Sequence, residues 1–319
     1  MRSFLITFGI AATLVLSAGC SQPESKTTHP NVLLISLDAL RADHLSCYGY
    51  DRRTSPFLDE IAARGTRFSH AFVNTHGTPP SHATMLSSLY QETHRVGFGA
   101  GTPTGRNDTV PEQVEMVQEI LQRSGWRTVA VTGGGYMSSI FGFGRGFESF
   151  TDKAKSIEQG TRLLITELEN QQDRPVFAFL HTYQIHSPYD PPDPYRAMWD
   201  TGASDFEGSN ENLTPIQNVA AEILKPEDFD HLGALYDGEI AFTDATLRVF
   251  FSELERIGFL DNALVIITSD HGEEFGDHGG LLHRVSLFEE LLHIPFILYG
   301  AGVAEGIVDP VMISLIDVA

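Results

Sequence analysis

The stretch NVLLISLDAL, residues 31–40, decides the fold. It is a continuous apolar run closed by the acid Asp38, with none of the polar alternation that a strand with one wet face would show. That is the pattern of a strand covered on both faces in a parallel sheet. Downstream, SPFLDEIAARG (55–65) has helical spacing and closes on Gly65, TRFSHAFV (66–73) reads as a strand, and a helix opens near Ser81. The alternation continues with a helix in PEQVEMVQEILQRSG (111–125) and a strand in WRTVAVTGG (126–134). A helix around 156–170 precedes the strand PVFAFLHTY (175–183). A long helix through YDGEIAFTDATLRVFFSELERIG (236–258) precedes the strand NALVIITSDHG (262–272), and IPFILYG (294–300) ends the series. Strands and helices in this order predict an α/β fold, with a mainly parallel central sheet flanked by helices on both faces and ligands at the carboxyl ends of the strands.

The chain has 319 residues, 42% of them hydrophobic, enough for one large core or for one domain and a fragment of another. Its net charge of −21 repels polyanions, and there is no basic stripe, so nucleic acid is not the expected partner. An anionic substrate would need a strong local positive charge, and a bound metal ion is the strongest available.

Residues 1–20, MRSFLITFGIAATLVLSAGC, combine Arg2, an apolar run from Phe4 to Leu16 and a lipobox-like end at Cys20. The run is too short to span a bilayer comfortably, and the expectation is a lipoprotein signal peptide with Cys20 as the lipidated residue. Residues 21–30 then form a polar tether, and 31–319 the catalytic domain. Such a chain sits in the bacterial cell envelope, anchored to the membrane through Cys20 and facing the periplasm or exterior. Cys47 alone remains as a thiol, so no disulfide is expected.

Asp38 ends the first strand and Asp270-His271 end another, so three candidate metal ligands emerge at one edge of the predicted sheet. Any one acid could be a helix cap or turn former; several together at strand ends point to a site. Thr78, in THGTPPSHATML (75–86), falls at a strand-to-helix turn, where it is either a cap or a nucleophile.

Six blocks then carry a resemblance: SLDALRADHLSCYGY, TPPSHATMLSSLY, GFGRGFESF, HTYQIHSPYDPP, YDGEIAFTDATL, and SDHGEEFGDHG followed by SLFEELLHIPFIL. In this order they resemble the sulfatase family of the alkaline phosphatase superfamily, from Asn31 onward. The resemblance implies one metal ion at the strand ends, with Asp38, Asp270 and His271 as ligands. It places Thr78 at the nucleophile position and on the metal, His186 as a catalytic or substrate-binding histidine, and His283 as another. A divalent ion in such a site would make the Thr78 hydroxyl more acidic and polarise a sulfuryl or phosphoryl oxygen. Backbone N–H groups near Ser81 and His82 would hold anionic oxygens, and His186 or His283 would protonate the leaving alkoxide.

Three departures narrow the chemistry. Family sulfatases carry Cys or Ser followed by x-Pro-x-Arg and oxidise that first residue to formylglycine, whereas this window reads Thr78-Pro79-Pro80-Ser81-His82. Threonine cannot form the aldehyde whose regeneration expels sulfate. Ala39 stands where sulfatases have a second Asp, and His271 where Asn is common. The expected activity is hydrolysis of sulfate, phosphate or phosphonate esters through a covalent Thr intermediate, with phosphorus favoured. A phospho-group transferase and a catalytically inactive lipid-anchored binding protein are the alternatives. The substrate is a small anionic ester or a sulfated or phosphorylated glycan or lipid. Oxygen ligands suit calcium, and the imidazole moves the preference toward manganese or zinc.

The segment VMISLIDVA (311–319) resembles the point at which family members continue into a smaller C-terminal subdomain, here apparently missing. An exposed apolar patch including some of Val311, Ile313, Leu315 and Ile316 is therefore expected.

Overall fold

Strand β1 (Asn31–Leu37) runs through the middle of an eight-stranded sheet in the computed structural model, which describes residues 29–97, 109–169, 174–283 and 286–319. The expected signal peptide, Cys20 and nearly all of the tether lie outside the described residues. The other strands are β2 (Thr66–Phe72), β3 (Arg127–Val131), β4 (Ser149–Thr151), β5 (Val176–Thr182), β6 (Ala263–Thr268), β7 (Glu274–Phe275), β8 (Leu281–Leu282), β9 (Phe296–Gly300) and β10 (Ile307–Ser314). The sheet order is β10-β2-β9-β6-β1-β5-β3-β4, with β7 and β8 forming a separate hairpin. Only β9 runs antiparallel to its neighbours in the large sheet, so the sheet is mainly parallel as the alternation predicts.

Successive side chains of β1 enter two cores. Leu33, Ile35 and Leu37 pack with the helices Pro56–Ala63, Ile157–Glu169 and Pro226–Arg256, while Leu34 packs with the face that carries the helix Thr78–Ser87. Residues of even number in β1 and beyond, Leu34, Ser36 and Asp38, thus look toward Thr78–Ser87. Because β1 is paired on one side with β5 and on the other with β6, the chain leaves all three strands at the same edge.

Several boundaries differ from the sequence reading. The strand stops at Leu37, before the acid. The helix expected over 111–125 spans only Val117–Arg123, because the Glu119 carboxylate turns back to accept the Met116 N–H at 3.0 Å and starts the helix there. The long helix begins at Pro226, ten residues earlier than the reading of 236–258, with Asp228 capping the Lys225 N–H at 2.8 Å. Gly65 is needed for a different reason than helix capping: a Cβ there would stand 2.1 Å from the Leu298 carbonyl oxygen. At the C-terminal edge, β10 pairs in parallel with β2. Val311 is exposed as expected, but Ile313 and Ile316 are half-buried and Leu315 is fully buried in the core beneath the helix Thr78–Ser87, which corrects its place in the expected patch. Among the described residues, no helix is long and apolar enough to cross a membrane.

Candidate active site

The turn after β1 sets the position of Asp38. Its N–H donates to the Thr182 carbonyl at 3.1 Å, continuing the β1–β5 ladder one step past the strand. Ala39 then adopts φ +62°, a left-handed conformation that costs a non-glycine residue about 1–2 kcal/mol. Bonds on both sides hold it: the Ala39 N–H donates to Asp270 Oδ1 at 3.2 Å, and the Tyr236 hydroxyl donates to the Ala39 carbonyl at 2.7 Å. That hydroxyl also accepts the Arg41 N–H at 2.9 Å, while the Leu40 N–H donates to Ser269 Oγ at 2.9 Å. The β1 and β6 exits are therefore tied to each other.

Asp38, Asp270 and His271 are completely buried, and one ligand-type atom from each lies within 4.8 Å of the others. Asp38 Oδ1 and Asp270 Oδ2 are buried with no hydrogen-bond partner. His271 donates from Nδ1 to the Gly272 carbonyl at 2.9 Å, which leaves Nε2 with its lone pair, 3.4 Å from Asp270 Oδ2. Two unpartnered carboxylate oxygens and an imidazole lone pair in a buried site fit the donor set of a divalent cation.

Burial, and then repulsion from Asp38, push the Asp270 carboxyl up to about 8. Burial also opposes ionisation of Asp38, but the hydrogen bond from His181 and the charge of His271 outweigh it and hold Asp38 well below the usual carboxylate range. His271 is raised, because the Asp270 and Asp38 charges overcome its burial.

Thr78 lies over this group. It is the first residue of the helix Thr78–Ser87, whose N-cap is Gly77, so its side chain is not the cap. Its Oγ1 is 3.4 Å from Asp38 Oδ2 and 3.4 Å from His271 Nε2. The structure thus brings Asp38, Thr78, Asp270 and His271 together. The backbone donors expected near Ser81 and His82 are a correction: Pro79 and Pro80 have no N–H, and the Ser81 N–H is spent on the Gly77 carbonyl at 3.0 Å. Both nitrogens of the His82 ring are engaged, Nδ1 with the Thr78 carbonyl (2.8 Å) and Nε2 with Ser36 Oγ (2.9 Å), and Nδ1 also lies 3.6 Å from Asp270 Oδ2.

His186 and His283 face each other with ring centroids 5.0 Å apart, and the His283 ring is 4.3 Å from that of His271. Both line, with Thr78, Tyr136 and Tyr183, a cavity of about 630 Å³. His186 donates from Nδ1 to the Ser187 carbonyl at 2.7 Å. His283 Nδ1 lies 3.0 Å from Glu273 Oε1, and the other Glu273 oxygen accepts the Tyr189 hydroxyl at 2.9 Å. Burial, then the charge of His271, lower the His283 pKa. Burial works against ionisation of Glu273, but His283 outweighs it and keeps the carboxyl low.

Sequence reasoning missed His181, Glu273 and Tyr236. His181 stands near the end of the apolar run of β5 and opens the block HTYQIHSPYDPP, in which His186 drew the functional reading instead. The groove between the helices Ile157–Glu169 and Pro226–Arg256, about 680 Å³, contains none of these side chains. Glu274, His278 and Glu290 form another cluster of ligand-type groups. Glu274 accepts two backbone N–H groups of the β7–β8 turn and His278 pairs with Glu290 at 2.7 Å, so the cluster ties down that hairpin.

Comparison with known proteins gives a consistent picture. The sulfatase family profile matches residues 30–319. Arylsulfatase K of Mus musculus is 24% identical over 98% of this chain and 64% of its own length. The delta 4,5-hexuronate-2-O-sulfatase of Bacteroides thetaiotaomicron is 23% identical over 92% of this chain and 66% of its own. The chain therefore spans about two thirds of the length of these relatives. The phosphonate monoester hydrolase of Agrobacterium radiobacter superposes with a TM-score of 0.72 at 23% identity, over 91% of this chain and 72% of that one, a likeness of fold.

Proposed function

The chain belongs to the sulfatase family, and from that premise we propose that it is a metal-dependent ester hydrolase that transfers a phosphoryl or phosphonyl group, in preference to a sulfuryl group, to Thr78. The observation that carries this reading is the Thr78 hydroxyl, free of capping duty and 3.4 Å from both Asp38 Oδ2 and His271 Nε2. Sulfatase-family members are metal-dependent. Asp38, Asp270 and His271, with Thr78 beside them, would hold the ion, and two carboxylates with an imidazole favour zinc or manganese over calcium. When bound, such an ion polarises the ester oxygen and makes a neighbouring hydroxyl a better nucleophile.

Thr78 Oγ1 forms the bond to phosphorus as the bond to the departing alkoxide breaks; the Thr78 proton passes to Nε2 of His283 or His186, which gives it to that alkoxide. Glu273 keeps the Nδ1–H of His283 directed at itself, which leaves Nε2 to serve the cavity that the ring lines. Water then attacks phosphorus and releases Thr78. Phosphorus is preferred because a threonine ester has no aldehyde to regenerate, so a sulfated Thr78 would have to be hydrolysed at sulfur. Residues 31–319 are the catalytic domain on this reading, and Cys20 anchors the protein to the membrane of the cell envelope. Turnover of matched aryl phosphonate, phosphate and sulfate monoesters tests it. Phosphorus esters should be cleaved faster, with all activity lost to a chelator. A preference for the sulfate, or chelator-resistant turnover, would contradict it.

A further inference from the structure

Resting on the metal-dependent reading above, we propose that His181 is a positioning residue that decides which oxygen of Asp38 faces the cation. His181 stands opposite Ser36 in the β1–β5 register, so it shares a sheet face with Asp38, two residues beyond Ser36. It is completely buried. Its Nδ1 accepts the Gly133 N–H at 3.4 Å, which places the imidazole proton on Nε2, 3.1 Å from Asp38 Oδ2. The ring is gripped edge-on by Tyr183 at 4.6 Å and His82 at 5.0 Å, so it cannot swing away from that bond.

The two oxygens of Asp38 are thereby divided. Oδ2 receives the His181 N–H, whereas Oδ1 is buried without a partner. Oδ1 is the oxygen left for the ion, and His181 holds it there. Ala39 makes this support matter more, because the adjacent position contributes no second carboxylate and Asp38 is the only ligand supplied by the β1 exit. Without the His181 N–H, Asp38 Oδ2 keeps only the long Thr78 contact of 3.4 Å, and the carboxylate can turn about its last bond. Outer partners of metal ligands, removed one at a time, typically cost about 10–100-fold in metal affinity.

The test is Zn²⁺ binding to the full chain by competition with a chromophoric chelator, in the parent, His181→Phe and His181→Gln. Phe keeps the ring volume without an N–H; Gln restores an N–H near the Nε2 position. The expected result is a loss of about 10–100-fold in His181→Phe, with most of the affinity recovered in His181→Gln. Should circular dichroism show the Phe variant unfolded, His181→Met serves as the donor-free comparison. Parent-like Zn²⁺ affinity in the donor-free variant overturns the proposal, and so does a Gln variant as weak as the donor-free one, since the loss would then be packing. A parent that binds neither Zn²⁺ nor Mn²⁺ overturns instead the metal-dependent reading on which this rests.

Discussion

Tyr236→Phe deletes one oxygen from the turn that carries Asp38. That hydroxyl donates to the Ala39 carbonyl at 2.7 Å and accepts the Arg41 N–H at 2.9 Å, and Tyr236, Ala39 and Arg41 are 0%, 0% and 5% exposed. The substitution leaves two backbone groups unsatisfied where water does not reach. At about 1–3 kcal/mol for each, the cost is about 2–6 kcal/mol. Unfolding entropy of about 2.1 cal/mol/K per residue, over the roughly 290 residues from 30 to 319, makes each kcal/mol worth about 1.6 °C, so the melting temperature should fall by about 3–10 °C. Differential scanning calorimetry at one scan rate reads this, with Tyr90→Phe as the control because Tyr90 is 52% exposed. The left-handed Ala39 is held partly by this hydroxyl, so Zn²⁺ affinity should fall as well. A Tyr236→Phe melting temperature indistinguishable from that of the Tyr90→Phe control would refute the idea that this hydroxyl holds the metal turn together.

Other outcomes follow from the same geometry. Thr78→Ala should abolish turnover with little change in melting temperature, because the side chain caps nothing, whereas Thr78→Ser should keep much of the activity; steady-state kinetics and calorimetry together check both. His283→Ala should lower kcat by about 100-fold or more for esters with poor leaving groups and far less for nitrophenyl esters, which need no proton; equal losses on both would remove His283 from the acid role. Burial raises the Asp244 carboxyl from 3.8 to about 7, against the pull of the Leu58 and Phe57 N–H groups that it caps. Between those two values the folded chain keeps a proton that the unfolded chain has lost, so this group's contribution to stability falls as pH rises to about 7 and is flat above it. Urea midpoints at pH 5 and 8 should therefore drop more in the parent than in Asp244→Asn, and parallel drops would contradict the shift.

What could be read from the chain and what could not divide along physical lines. The apolar run before Asp38 and the one before Asp270 are local signals of strands buried on both faces, so the ligand-bearing exits were legible. That those exits share one edge follows from parallel strands, which the alternation of elements implied, whereas the position of β1 between β5 and β6, which makes the exits neighbours, is set by long-range pairing. The helix expected to open near Ser81 starts at Thr78, because a first turn has N–H groups to spare and accepts both Pro79 and Pro80. With the helix starting at Thr78 and not near Ser81, the Ser81 N–H bonds to the Gly77 carbonyl and is not the free first-turn donor expected there. His181, Glu273 and Tyr236 lie within the quoted blocks, but their roles were not legible for another reason. Their partners are 143, 10 and 197 positions away, and only register and packing select them.

Mass spectrometry of the metal-loaded protein, quenched during turnover of an aryl phosphonate or phosphate monoester, addresses the central claim most directly. The account predicts that the peptide containing Thr78 carries the transferred phosphorus group, and that Thr78→Ala carries none. Steady turnover with an unmodified Thr78 peptide, or a label on any other side chain, would contradict it.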